Sequence, residues 1–219
     1  MTEYNRICRI LKVDPKKDEE ATSVAEELSR GRTTALEELK KAIKGKDIVV
    51  FGAGPSLEGK IKSLEKNEKI FICSDGTVSA LLENGFIPEV NVTDLDGKLD
   101  DILRANELGT ITVIHAHGDN INKLREYIPK FKEKIVLTTQ TTPTNNVKNL
   151  FGFTDGDRAV SLARNFGARK IELIGFDFGD VVGKYSDPAI PKDHKASQRK
   201  KKKLEIAEYL VKKFLKNRK

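Results

Sequence analysis

The sequence predicts an α/β fold of Rossmann-like type, a mostly parallel sheet flanked by helices. Three observations predict it. Short apolar runs of strand length recur along the chain, stretches with helical spacing separate them, and several runs release directly into turns rich in Gly and Asp. A helical segment over 1–46, an α/β domain over 47–194 and a basic amphipathic helix over 195–219 packed on that domain give the expected organisation.

Taken in order, Asp14-Pro15 is an N-cap followed by proline at the first helical position, and Asp18-Glu19-Glu20 places acid where the helix dipole favours it. Val24 and Leu28, then Leu36, Leu39 and Ile43, trace an apolar face that Gly31 interrupts. Two helices result, packing on the body or on a second subunit. Asp47-Ile48-Val49-Val50-Phe51 is the first core strand, opening into Gly52-Ala53-Gly54-Pro55-Ser56-Leu57. Ile70–Cys73, Val90–Thr93, Thr112–Ile114, Ile135–Leu137 and Ile171–Ile174 are the strands that follow. Helices are expected after Gly76, over Leu99–Leu108, and after Thr154, whose capping partner is Asp157. Residues 180–194, with Gly183, Pro188 and Pro191, read as irregular chain able to fold over a ligand.

At 219 residues, 38% hydrophobic and 33% charged, the chain is long enough to bury a sizeable core. No apolar run approaches the roughly 20 residues that span a bilayer, and no signal-peptide pattern opens the chain, so a cytoplasmic protein is expected. Cys8 and Cys73 lack both disulfide-framework and metal-ligand spacing. Abundant Lys and Glu with one Met and no Trp lean toward a thermophilic source. The net charge of +7 is concentrated: residues 195–219 carry eleven Lys or Arg against Glu205 and Glu208, a balance of +9 that leaves −2 elsewhere. The run Arg199–Lys203 could meet nucleic acid. Leu204, Ala207, Leu210, Val211, Phe214 and Leu215 recur behind it at helical spacing, which favours a docked helix with a solvated basic face and makes a nucleic-acid partner the weaker reading. The same run could also bring a cation to a substrate's phosphates.

The chemistry lies in the strand ends, where open α/β sheets bind their ligands. Asp75-Gly76 follows one strand and Asp94-Leu95-Asp96-Gly97 the next. Carboxylates gathered at one edge repel each other and are costly to desolvate, and a hard cation such as Mg²⁺ compensates. Gly52, Gly54, Pro55 and Ser56 form a glycine-rich turn of the kind whose amides approach phosphate. It is neither a Walker A loop nor a full dinucleotide fingerprint, since Leu57 stands where the third glycine belongs. His115-Ala116-His117-Gly118-Asp119-Asn120 puts two histidines on one side of an extended segment near the same edge. One of them is a candidate for substrate contact or general-base work. Capping accounts for part of Thr154-Asp155-Gly156-Asp157-Arg158, leaving a functional share.

The stretch from Ser74-Asp75-Gly76 through Asn84-Gly85-Phe86-Ile87-Pro88 to Thr93-Asp94-Leu95-Asp96-Gly97 resembles the thiamin pyrophosphokinases, with Thr154-Asp155 and its helix as a second point of likeness. Two departures weaken it: the chain has no carboxyl-terminal β-sandwich, and those enzymes lack the Gly-Ala-Gly-Pro-Ser loop. The whole chain after Lys46 is more similar to the archaeal 6-hydroxymethyl-7,8-dihydropterin pyrophosphokinases of the DUF115 group. The segments that carry this are Phe51–Leu57, Thr93–Gly97, His115–Asn120, Gly152–Arg158 and Gly175-Phe176-Asp177-Phe178-Gly179. That group also resembles motility-accessory glycosyltransferase-like proteins, so a nucleotide-sugar reaction stays an alternative.

The resemblance implies transfer of diphosphate from ATP to a reduced hydroxymethylpterin, with Mg²⁺ as cofactor and AMP as product, as in tetrahydromethanopterin or folate-type biosynthesis. It implies Asp94 and Asp96 as leading metal ligands and catalytic groups, supplemented by Asp75 and Asp155, with His115 and His117 beside them. Gly52, Gly54, Pro55, Ser56, Asp75 and Gly76 would contact nucleotide. Asp119, Asn120, Gln140, Thr154, Asp157, Arg158 and Asp177 would contact substrate. A homodimer is expected. Asp94→Asn is then expected to cut turnover by orders of magnitude with the fold intact; near-normal steady-state diphosphate transfer would refute the metal assignment.

Overall fold

In the computed structural model, which describes residues 2–65, 68–132 and 134–216, the chain forms a doubly wound α/β fold. Three helices lead: α1 (Glu3–Leu11), α2 (Pro15–Leu28) and α3 (Leu36–Ile43). The alternating core follows as β1 (Asp47–Phe51), α4 (Leu57–Lys62), β2 (Ile70–Ser74), α5 (Thr77–Glu83), β3 (Val90–Thr93), α6 (Leu99–Glu107), β4 (Ile111–Ala116), α7 (Ile121–Tyr127) and β5 (Ile135–Thr139). β6 (Val147–Lys148), α8 (Asp155–Asn165) and β7 (Lys170–Ile174) complete the sheet. A small antiparallel pair, β8 (Val181–Val182) and β9 (His194–Lys195), precedes α9 (Gln198–Lys216).

The seven strands are ordered β6-β5-β4-β3-β2-β1-β7, and every neighbouring pair is parallel. The chain walks outward from β1 to β6, then crosses back through α8 to place β7 on the other side of β1. The strand order therefore reverses at β1, where open sheets form their ligand crevice.

Strands covered on both faces read as continuous apolar runs, and alternate residues go to opposite cores. Val49 and Phe51 pack with Phe71, Leu57, Leu81 and the α2 residues Ala21, Val24 and Ala25. Ile48 and Val50 face the other way, against Leu39 and Ile43 of α3, Leu162 of α8 and Val211 of α9. A third cluster joins Ile7 and Leu11 of α1 to Leu210 of α9. The leading helices thus pack on their own body, and the carboxyl-terminal helix docks through an apolar stripe as its spacing predicts. Among the described residues no helix is long and apolar enough to cross a membrane.

The structure adds α1, α7, β6 and the β8–β9 pair to the predicted elements, and extends the fifth strand through Thr138 and Thr139. Phe71 anchors the larger core, edge-on to Phe51 at 5.1 Å and to Phe86 at 5.8 Å. Phe71→Ala is expected to cost about 3–5 kcal/mol of unfolding free energy, read by chemical denaturation.

Candidate functional site

A cavity of about 610 Å³ opens along the carboxyl ends of the strands. Its floor comes from the turns after β2 and β3. Asp75 (φ 45°) and Leu95 (φ 68°) both hold left-handed backbone, a strained conformation for non-glycine residues that clusters at functional sites. Gly76 is needed because a Cβ there would sit 2.1 Å from the Tyr185 carbonyl oxygen of the covering segment.

Asp75, Asp94 and Asp155, from β2, β3 and the first turn of α8, each offer a carboxylate oxygen within 4.8 Å of the others. Three convergent carboxylates are the hard oxygen donors that a divalent ion such as Mg²⁺ would take. The electrostatics agree. Burial, then the Asp94 charge, pushes Asp75 up to about 7. Burial and the same two neighbours push Asp155 well above the usual carboxylate range. Burial also opposes ionisation of Asp94, but the His117 ring and the charge of Lys203 outweigh it and hold its pKa low.

Asp96, predicted as a leading ligand, lines the cavity but stands outside this group. The left-handed Leu95 turns it outward, where it accepts from Lys123 Nζ at 2.7 Å with its side chain 62% exposed. Three of the four carboxylates expected as ligands thus come together, and Asp96 faces outward.

The histidines are also engaged within the protein. His117 Nδ1 accepts the Asp119 amide at 3.3 Å, which leaves hydrogen on Nε2, 3.3 Å from Asp94 Oδ2. The ring of His115 is fixed as one tautomer. Arg158 Nη2 can only donate and lies 3.0 Å from His115 Nε2, so Nδ1 carries the hydrogen toward Thr138 Oγ1 at 3.2 Å, which donates in turn to the Ile114 carbonyl. Burial and the Arg158 charge keep His115 neutral by lowering its pKa well below the ordinary value. Both rings orient other groups, and neither presents a free base to the cavity.

Arg158, Asn120, Pro55 and Ser56 do not line the cavity, though each was expected to contact ligand. Arg158 is fully buried beneath it, donating to the Phe151 and Phe153 carbonyls as well as to His115. Asn120 ties the turns together by donating to the Asp94 and His115 carbonyls. Asp157 reaches the cavity wall, but its carboxylate accepts from the Phe153 and Thr154 amides and from Thr154 Oγ1, the capping role read from sequence.

The glycine-rich turn lies at the strand-order reversal between β1 and β7, and the amides of Gly52, Gly54 and Ser56 are taken. Gly52 N donates to the Ile174 carbonyl and Gly54 N to the Gly175 carbonyl, both at 2.8 Å. Ser56 donates through N and Oγ to Asp177 Oδ2 at 3.1 and 3.0 Å. A Cβ on Gly54 would fall 2.2 Å from that same oxygen. The turn is a wall bearing a carboxylate, which differs from the phosphate cradle that its sequence suggests.

Asp18 was read only as a helix-dipole residue. Its buried carboxylate accepts from Tyr4 Oη, Gln140 Nε2 and the Gly118 amide at 2.6–2.7 Å, stitching α1, α2, β4 and β5 around the far end of the cavity. No local pattern marks it, because its partners lie up to 122 residues away.

A family model described as 6-hydroxymethylpterin diphosphokinase MptE-like matches residues 22–183. The chain belongs to that family. Three relatives named 6-hydroxymethyl-7,8-dihydropterin pyrophosphokinase match nearly end to end. That of Methanocaldococcus jannaschii is 39% identical over 219 residues, covering 95% of this chain and 91% of its own. Those of Methanothermobacter thermautotrophicus and Pyrococcus furiosus are each 41% identical, covering 95% and 98% of this chain and 90% and 91% of theirs. Family membership thus agrees with the second resemblance read from sequence, while the engaged turn comes from the structure alone.

The raised pKa of Asp75 has a signed consequence. A carboxyl that binds its proton more tightly folded than unfolded favours folding below about pH 4 and loses that contribution as pH rises toward 7. In EDTA-treated protein, Asp75→Asn is expected to flatten this fall and raise the melting temperature at pH 7.5 by about 2–4 °C or more. An unchanged or lower value would contradict the crowding of these carboxylates.

Proposed function

We propose that this protein transfers the β,γ-diphosphate of ATP to the hydroxymethyl group of 6-hydroxymethyl-7,8-dihydropterin in a Mg²⁺-dependent reaction that releases AMP. The observation that carries the reading is the triad Asp75, Asp94 and Asp155 at the carboxyl edge of the sheet, in a member of a diphosphokinase family. The protein is accordingly a diphosphotransferase. Its reaction belongs to reduced-pterin biosynthesis, tetrahydromethanopterin included, and ATP as donor implies the cytoplasm.

In the reaction the hydroxymethyl oxygen bonds to the β-phosphorus as the bond from that phosphorus to the α–β bridging oxygen breaks. AMP leaves with the bridging oxygen, and the hydroxyl proton passes to water in the cavity. Such transfer needs little covalent help from the protein; it needs positioning and charge neutralisation. Asp75, Asp94 and Asp155 would hold Mg²⁺, which when bound neutralises phosphate oxygens. His117 orients Asp94 from behind. The exposed carboxylate of Asp119, without a side-chain partner among the described residues, is the acceptor on the cavity's far wall suited to the amino and ring N–H donors of a pterin. Asp177, held by Ser56, suits the hydroxyls of a nucleotide's ribose. A cavity of about 610 Å³ is of the size that takes small-molecule ligands.

AMP release from ATP, assayed with hydroxymethyldihydropterin, with thiamin and with neither, is the direct test. Release is expected only with the pterin and only with Mg²⁺ present. Equal release with thiamin would refute the acceptor, and release in EDTA would refute the metal.

A further inference from the structure

Diphosphate transfer needs cationic groups on the phosphates, and two expected sources are already engaged. The turn amides of Gly52, Gly54 and Ser56 are bonded to β7 and Asp177, and the guanidinium of Arg158 is buried below the cavity on carbonyls and His115. The basic run at the start of α9 divides by what each side chain meets. Lys201 pairs with Asp180 at 2.7 Å, Lys202 is exposed to solvent, and Arg199 sits exposed on the rim. Lys200 and Lys203, three residues apart and so on one helix face, are half-buried and line the cavity.

Neither meets a carboxylate. Lys200 Nζ donates only to Ser186 Oγ, at 2.9 Å, and Lys203 has no hydrogen-bond or ion-pair partner among the described residues. Amines taken partly out of water without a counter-ion are costly, and this chain places two together. Their charges nonetheless reach across the cavity. Burial and the neighbouring Lys203 lower the Lys200 pKa while Asp155, Asp94 and Asp75 raise it, and Lys203 helps keep Asp94 ionised. Carboxylates on the sheet edge and amines on α9 thus face each other without touching. A metal-bound polyphosphate has the charge pattern to lie between them, with its cation toward the sheet and its oxygens toward the helix. Lys12 and Lys17 also reach the cavity, but from exposed positions at its far end beside Gly118.

We propose that Lys200 and Lys203 are the phosphate-contacting groups of the site, binding the oxygens of the diphosphate that is transferred. The assignment rests on the diphosphotransferase reading for the identity of the anion. Arg199 lies at the rim and is left out of it.

The test is calorimetric titration of inorganic pyrophosphate, in MgCl₂, into the full chain and its variants. Lys203→Gln and Lys200→Gln are each expected to weaken binding by about 10- to 100-fold, the loss of a charge-assisted hydrogen bond. Lys202→Gln should bind as the unsubstituted chain does, Lys203→Arg should retain most of the affinity, and adenosine should bind all variants alike. In turnover, Lys203→Gln should lower kcat with the KM for pterin unchanged. Pyrophosphate affinity of Lys203→Gln within twofold of the starting protein, or equal weakening by Lys202→Gln, would overturn the proposal. Should Lys200→Gln fail to fold, Lys203→Gln decides alone, since no bond is lost with it. Pyrophosphate binding needs neither pterin nor turnover, so a chain that binds it through these lysines yet releases no AMP would refute the reaction and leave the phosphate contacts standing.

Discussion

Three half-buried carboxylates within reach of one another cannot all carry their charge at ease without a positive partner, and much of this fold is arranged around that constraint. The parallel sheet brings Asp75 and Asp94 to adjacent strand ends, and the crossover helix after β6 delivers Asp155 to the same point. Uncompensated, the cluster opposes folding, as the raised pKa values of Asp75 and Asp155 record. The protein answers with fixed positive charge placed out of contact: Arg158 below and Lys200 and Lys203 across the cavity. None forms a close pair with the triad, so the carboxylates keep lone pairs open to the cavity. A salt bridge in any of those positions would quench the site.

Behind the carboxylates lies a layer of polar groups whose role is orientation. The chain from Arg158 through His115 and Thr138 to the Ile114 carbonyl admits one tautomer, because a guanidinium cannot accept and a backbone carbonyl cannot donate. Asp18 does the same for Gln140, since a carboxylate facing the amide forces its nitrogen inward. Such fully directed networks in a low-dielectric setting hold geometry more firmly than apolar contact alone.

How much of this was legible in the sequence follows from how local each signal is. The six long strands and the capped helix after Thr154 were readable because apolar runs and an N3 carboxylate act within a few residues. The spacing of Asp94 and Asp96 does not show which way each carboxylate faces, since one left-handed residue between them sends the second outward, and no pattern in Asp-Leu-Asp-Gly announces that φ. The bonding of the glycine-rich turn was hidden for a different reason. Its partners arrive on β7, about 120 residues later, and sequence reading could see the donors but not what would use them. The two-residue β6 is too short for any periodicity. In the basic run, position on the helix face separates Lys200 and Lys203 from Lys201 and Lys202, and composition could not.

The bond between Ser56 and Asp177 has a consequence of selectivity. A helix start with free amides attracts any small anion, and the most abundant one would often win. Here a tethered carboxylate already holds that position as a built-in competitor, with an effective concentration in the millimolar range or above. Free orthophosphate or sulfate must displace it and gains little by doing so. At this turn the commonest anions therefore meet an occupied helix start, which favours ligands long enough to engage several walls of the cavity at once.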